Sequence, residues 1–269
     1  MDPASPSKKA DALPKLGAWA KEGFTWAPEV MKVGDKWVLY YTAAWREQNI
    51  QCLGTAVGDS PKGPFVDPSS EPFLCQREEG GTIDANPFRD KDGKLYLYFK
   101  NDGNRVRKPT RLWGVALSPD GLKTVGQPVD LGMTDKDEWE SGVIEAPTMI
   151  LTPEGPVMLY SAGFFGWDHR QRLSPYAMGY ATCKGPLGPC TDAKVNPILY
   201  SYNDPKDTGC LSGPGHQSIF RAGDRTFVSF HAWATTKGCR PDKDARYLYI
   251  APFGWENGRP VIAPSLRRQ

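Results

Sequence analysis

No stretch of the chain stays apolar for 18 residues, which excludes a single-helix membrane span. Met1 to Lys9 is polar and has no apolar core of the kind a secretion signal needs. No CxxC pair is present, so zinc-finger and thioredoxin-type spacings are excluded. Neither is there a basic stripe: 33 Lys and Arg face 31 Asp and Glu, and a net charge of +2 marks no nucleic-acid footprint. No segment carries a convincing helical period, and no linker divides the 269 residues. The chain therefore reads as one domain over residues 11–269, behind a disordered Pro/Ser/Lys-rich lead-in over residues 1–10.

Aromatics make up 12% of the residues, with 9 Trp, and turn formers are frequent, with 28 Gly and 25 Pro. That mixture suits short strands joined by tight turns, and aromatic faces also suit sugar rings. The six cysteines, Cys52, Cys75, Cys183, Cys190, Cys210 and Cys239, form an even set that favours disulfides and an oxidising compartment. Sequence permits 15 connectivities. Chain order favours neighbours: Cys52 with Cys75, Cys183 with Cys190 and Cys210 with Cys239. Secretion is the expectation, through an export signal that Met1 to Lys9 does not supply.

A repeat runs through the chain. Four hairpins each carry an aromatic second strand behind a Gly-containing turn: Lys36–Thr42, Lys94–Lys100, Pro156–Ser161 and Thr226–His231. A short motif leads each one: Trp26-Ala-Pro-Glu29, Ile83-Asp-Ala-Asn-Pro87, Ile144-Glu-Ala-Pro147 and Gly213-Pro-Gly-His216. From Glu29 to Asp84 to Glu145 to His216 the steps are 55, 61 and 71 residues. A third strand follows each hairpin, at Gln51–Val57, Thr110–Leu117, Tyr176–Thr182 and Tyr247–Ile250. Such a unit is a propeller blade. The predicted fold is all-β, with about four blades recognisable.

In a propeller the leading strands line a shared axis, so Glu29, Asp84, Glu145 and His216 converge. Converging carboxylates suit glycoside hydrolysis. One protonates the leaving oxygen, a second activates water, and a third holds the acid's pKa high by like-charge repulsion.

The lead motifs also resemble those of glycoside hydrolase family 43. Trp26-Ala-Pro-Glu-Val30 with Trp37-Val-Leu-Tyr-Tyr41 is similar to its WAP segment and the aromatic strand after it. Thr82-Ile-Asp-Ala-Asn-Pro-Phe88 with Asp92-Gly93 is similar to its IDP segment. Val143-Ile-Glu-Ala-Pro147 resembles its EGP or EAP segment. Gly213-Pro-Gly-His-Gln-Ser218 and His231-Ala-Trp233 resemble its GPGHQS and HAW motifs. The likeness runs from about Asp11 to Pro260.

The resemblance implies a five-bladed β-propeller and inverting hydrolysis of α-L-arabinofuranosyl or β-D-xylosyl linkages in plant cell-wall polysaccharide (arabinan, arabinoxylan or xylan). It implies Glu145 as general acid and Asp84 as the carboxylate that orients it and raises its pKa. Trp26 matches a residue near the channel, and Phe164 and Trp167 are the expected sugar-binding aromatics. His216 matches a histidine that, in some members, stands near calcium or another ion, often through water. No cofactor is needed for the chemistry. A monomer without nucleic-acid or membrane partners is expected. Glu29 has no catalytic role by this resemblance, His231 reads as structural, and His169 as a solvated loop residue.

One departure is large. The family's general base is an Asp in a blade ahead of the WAP segment, and only 25 residues precede Trp26. Asp2-Pro3 spells the family's DP dipeptide but stands in the polar lead-in, with no strand after it. The expected site therefore holds two of three carboxylates. An active glycosidase, a carbohydrate-binding propeller lacking the base, and a plain scaffold propeller are the three readings.

Overall fold

The computed structural model describes residues 10–167, 173–204, 209–235, 241–262 and 267–268. Residues 1–9 of the expected lead-in, His169 and Cys239 lie outside them. The described chain is all-β, with two short 3-10 turns and no α-helix. None of its helices is long and apolar enough to cross a membrane.

Four antiparallel blades follow one another in sequence. Blade 1 is β1 (Ala20–Val33), β2 (Lys36–Trp45) and β3 (Gln51–Gly58). Blade 2 is β4 (Thr82–Arg89), β5 (Leu95–Asn101), β6 (Arg111–Leu117) and β7 (Thr124–Thr134). Blade 3 is β8 (Ile144–Thr152), β9 (Gly155–Ala162), β10 (Ala177–Cys183) and β11 (Cys190–Asp192). A two-stranded ribbon of β12 (Tyr202–Asp204) and β13 (Gly209–Leu211) precedes blade 4. Blade 4 is β14 (Gly215–Ala222), β15 (Arg225–Thr235), β16 (Pro241–Glu256) and β17 (Arg259–Ile262), with β18 (Arg267–Arg268) paired to β16. In blade 1 the place of a fourth strand is taken by residues 66–74, which bridge β3 at Val57–Val66 and Leu53–Leu74.

The aromatic second strands are buried because each packs between blades. Tyr41, Tyr98 and Tyr160 are fully buried and pair across the ladder with Gly54, Gly114 and Gly179 on the third strands. A Cβ on Gly54 would come within 2.6 Å of the Tyr41 ring, so glycine is what lets the ring lie flat there. The buried hydroxyls find acceptors in Asp67, the Pro186 carbonyl, and Glu140 with Asp192. Two of the expected disulfides form, Cys52–Cys75 and Cys183–Cys190. Cys210 is also disulfide-bonded.

Strands β1, β4, β8 and β14 are the innermost. β4 packs on β1 and β8, and β8 on β14. Each is broken by a bulge at its motif, where the register shifts and one residue takes positive φ: Ala27, Asp84, Ala146 and His216. This corrects the alignment of the leads. By the bulge, Asp84 and His216 are equivalent, but Glu145 stands one residue before the bulge and Glu29 two after it.

The bulges tie the blades together. The N–H of Asp84 donates to Thr42 Oγ1 of blade 1, at 3.3 Å, and that of His216 to Ser161 Oγ of blade 3, at 2.8 Å. Asn86 accepts from Met149 N–H, and Thr148 donates to the Gln217 carbonyl. Ser161 also donates to Gln217 Oε1 at 2.7 Å. The Ser161→Ala variant leaves both groups without this partner in a buried setting. It should lose about 1–3 kcal/mol, read as a lower urea midpoint at unchanged m-value.

Candidate active site

The four bulges enclose a cavity of about 180 Å³, lined by three residues from each blade: Ala27 to Glu29, Asp84 to Asn86, Ala146 to Thr148 and His216 to Ser218. Strand direction sends all four motifs in from the same end of the channel, so a kink at each start turns side chains onto one axis.

Glu145 stands before the bulge of β8 and is 9% exposed. Lys100 Nζ donates to its Oε2 at 3.2 Å, and the Tyr176 hydroxyl donates to its Oε1 at 2.6 Å. Lys100 is 1% exposed and Tyr176 fully buried. Asp84 Oδ2 accepts the N–H of Ala146, the residue after Glu145, at 3.1 Å. Asp84 Oδ1 lies 4.0 Å from His216 Nε2. The expected acid and its orienting partner are thus brought together through one backbone amide.

The two carboxyls meet different electrostatic surroundings. Burial pushes Asp84 upward, and the facing His216 offsets this only in part. Burial also pushes Glu145 upward, but Lys100, His216 and the Tyr176 hydroxyl outweigh it, and its carboxyl lies below the ordinary range. The ammonium group of Lys100 favours the ionised form of Glu145, whereas Asp84 has a backbone amide as its hydrogen-bond donor. Sequence reasoning missed Lys100, which the fold buries against Glu145.

Trp26, 46% exposed, precedes the bulge of β1 and so occupies in blade 1 the position that Glu145 has in blade 3. Phe164 and Phe165, 50% and 46% exposed, pack together in the loop after β9. Trp167 meets Trp233 edge to face, and Trp233 donates to the Phe165 carbonyl. Trp233 was not among the expected sugar contacts. Tyr176 stacks on His231 at 5.6 Å, and a Cβ on Gly215 would fall 2.3 Å from the Tyr176 ring, which accounts for the glycine before His216. Burial and the neighbouring Arg246 push His231 down to about 3, so it is neutral at working pH.

Glu29 lines the channel, but burial raises its carboxyl, even with Ser218 as a hydrogen-bond partner. A general base must be ionised, so this environment is a poor one for that role. His216 belongs to no trio of ligating side chains among the described residues. The one such trio is Asp137, Glu140 and Asp192, already served by Lys136 and Tyr160. Calcium takes six to eight oxygen ligands. His216 and Asp84 alone supply too few ligands to hold calcium directly.

The chain is similar to several known proteins. The chain is 24% identical to an extracellular endo-alpha-(1->5)-L-arabinanase 2 of Bacillus subtilis (strain 168), over 94% of the chain and 60% of the relative. It is 28% identical to an arabinoxylan arabinofuranohydrolase of the same organism, over 81% of the chain and 42% of the relative. It thus spans only part of the length of these relatives. A thermostable family-43 glycoside hydrolase of known structure superposes with a TM-score of 0.76 and 28% identity, covering 93% of this chain and 78% of that one. An endo-1,4-beta-xylanase from Bacteroides thetaiotaomicron VPI-5482 gives a TM-score of 0.69 at 28% identity, over 91% of this chain and 77% of that one. The profile of glycosyl hydrolases family 43 matches residues 8–260, and the chain belongs to that family.

Proposed function

We propose that the chain is a glycosidase that cleaves α-L-arabinofuranosyl or β-D-xylosyl linkages of arabinan, arabinoxylan or xylan with inversion. The observation that carries this reading is the link between Asp84, which lines the channel, and Glu145 beside it, through the Ala146 amide. Arabinan and arabinoxylan appear as substrates in the names of its relatives. In the proposed reaction Glu145 protonates the leaving oxygen. A base-activated water attacks the anomeric carbon from the opposite face, across carboxyl groups about 6.5–9.5 Å apart. Asp84 orients Glu145. Phe164 and Trp167, with Trp233, offer aromatic faces to the polysaccharide. The chemistry uses protein carboxylates and water alone. Disulfides support a secreted protein; in this reading it acts outside the cell, as a monomer.

The ring is of the five-bladed type in this reading. The exposure of β1 supports that. Lys21 to Trp26 is exposed throughout, whereas the equivalent starts of β4 and β8 are buried between neighbours. A further blade beside blade 1 would cover this flank and bring the base. A second reading, a binding propeller without turnover, is favoured by the unsuitable state of Glu29.

Hydrolysis of 4-nitrophenyl α-L-arabinofuranoside, 4-nitrophenyl β-D-xyloside and debranched arabinan separates the two. Turnover that falls by about 10²–10⁴ in kcat/KM in Glu145→Gln identifies the acid. Binding of arabino-oligosaccharides with no product from the wild type would establish the second reading. Phe164→Ala is expected to raise KM for the polymer about tenfold or less while leaving kcat on the aryl glycosides unchanged.

A further inference from the structure

In each blade the connection between the second and third strands opens at the end from which the motifs enter the channel, because the second strand runs back to the start of its own innermost strand. In blade 3 that connection carries Phe164, Phe165 and Trp167. In blades 1 and 2 it has no aromatic residue and carries arginine: Arg46 in one, Arg105 and Arg107 in the other. Arg77 joins them from the short 3-10 turn Arg77–Glu79 that leads towards β4. This end of the propeller is thus aromatic at blade 3 and basic at the junction of blades 1 and 2.

Contacts make the basic segments one platform. Arg77 lies over the ring of Trp45, the last residue of β2, at 4.4 Å from a ring that is 5% exposed. Arg105 of blade 2 donates to the Asn49 carbonyl of blade 1 at 2.8 Å. Lys108 donates to the Glu78 carbonyl and pairs with Glu79 at 3.3 Å. Asn101 also donates to Glu79, and Asp102 is buried. That leaves Arg46, Arg77, Arg105 and Arg107 exposed, against Glu47 and Glu78 as the exposed carboxylates of these segments. Among the described residues no carboxylate stands within ion-pair distance of any of the four guanidinium groups. The Trp45 stack and the Asn49 bond also hold two of them in place, which lowers the ordering cost of binding an anion.

We propose that this arginine platform binds the carboxylate of a uronic acid carried by the polysaccharide, so that the chain takes acidic polysaccharides in preference to neutral ones. The inference rests on the carbohydrate reading of the channel and names a substrate class within it. A neutral pentose offers only hydroxyls, whereas a carboxylate matches the planar fork of a guanidinium group with two parallel hydrogen bonds. Two sources supply the same chemistry: a glucuronate branch on xylan and a galacturonate unit in a pectic chain. In either case the sugar chain runs across the channel end, from Phe164 and Trp167 at blade 3 to the arginines at the junction of blades 1 and 2. The platform adds affinity and orientation away from the bond that breaks, and takes no part in the chemical step.

The test is isothermal titration calorimetry in the Glu145→Gln background, where hydrolysis does not interfere. The probes are a xylo-oligosaccharide bearing one 4-O-methylglucuronate, an oligogalacturonate, and the neutral xylo- and arabino-oligosaccharides of matched length. One or both acidic probes should bind about three- to tenfold tighter than the neutral ones, and whichever does so identifies the source of the uronate. That preference should shrink between about 20 and about 200 mM NaCl, as screening shortens. Arg77→Gln combined with Arg105→Gln should abolish it while leaving the Kd of the neutral probes and the hydrolysis of aryl glycosides by the otherwise wild-type chain unchanged. Arg77→Lys, which keeps the charge without the fork, should retain part of it. Near-UV circular dichroism establishes that the variants are folded. Neutral probes that bind as tightly as both acidic ones would overturn the proposal alone, and so would an acidic preference that survives in the folded Arg77→Gln, Arg105→Gln variant. No binding of any probe would sink the carbohydrate reading of the channel, and this proposal with it.

Discussion

The backbone N–H of the residue at positive φ in an innermost strand leaves its own ladder and bonds to the blade before it. Asp84 does so to Thr42, Ala146 to Asp84, and His216 to Ser161. A left-handed L-residue costs roughly 1–3 kcal/mol and persists where its surroundings over-determine it. Here those surroundings are the neighbouring blade. The same kink turns side chains of four strands onto one axis. Blade docking and site assembly are therefore one feature: a strand that ran straight through its motif would neither bond its neighbour nor turn a side chain to the channel.

Much of this was legible in the sequence. Aromatic strands of period two behind Gly turns gave the blades, and chain order gave two of the disulfides. Asp84, Glu145 and His216 could be picked out because polar residues in otherwise apolar strand starts are costly unless they serve something. The bulge register was not legible. A one-residue offset moves a side chain to the other face of a strand, and nothing in Ile83-Asp84-Ala85 against Ile144-Glu145-Ala146 says that the kink falls on Asp84 in one and on Ala146 in the other.

Lys100 was hidden for a related reason. At the end of Leu95-Tyr-Leu-Tyr-Phe-Lys100 it resembles the polar terminus of a strand entering a loop. It shares the strand face of Tyr96 and Tyr98, which was the available signal. Only its pairing opposite Ile83, beside the next blade's acid, shows that the ammonium group is buried and committed to Glu145.

The state of the carboxyl pair is then a question of which donors reach which oxygen. Asp84 and Glu145 are both buried, and burial alone would leave both neutral. A neutral amide at Asp84 and a full positive charge at Glu145 break that symmetry. The two carboxyls, one backbone amide apart, therefore meet different donors: Asp84 a neutral peptide N–H, and Glu145 a buried ammonium group together with a phenol.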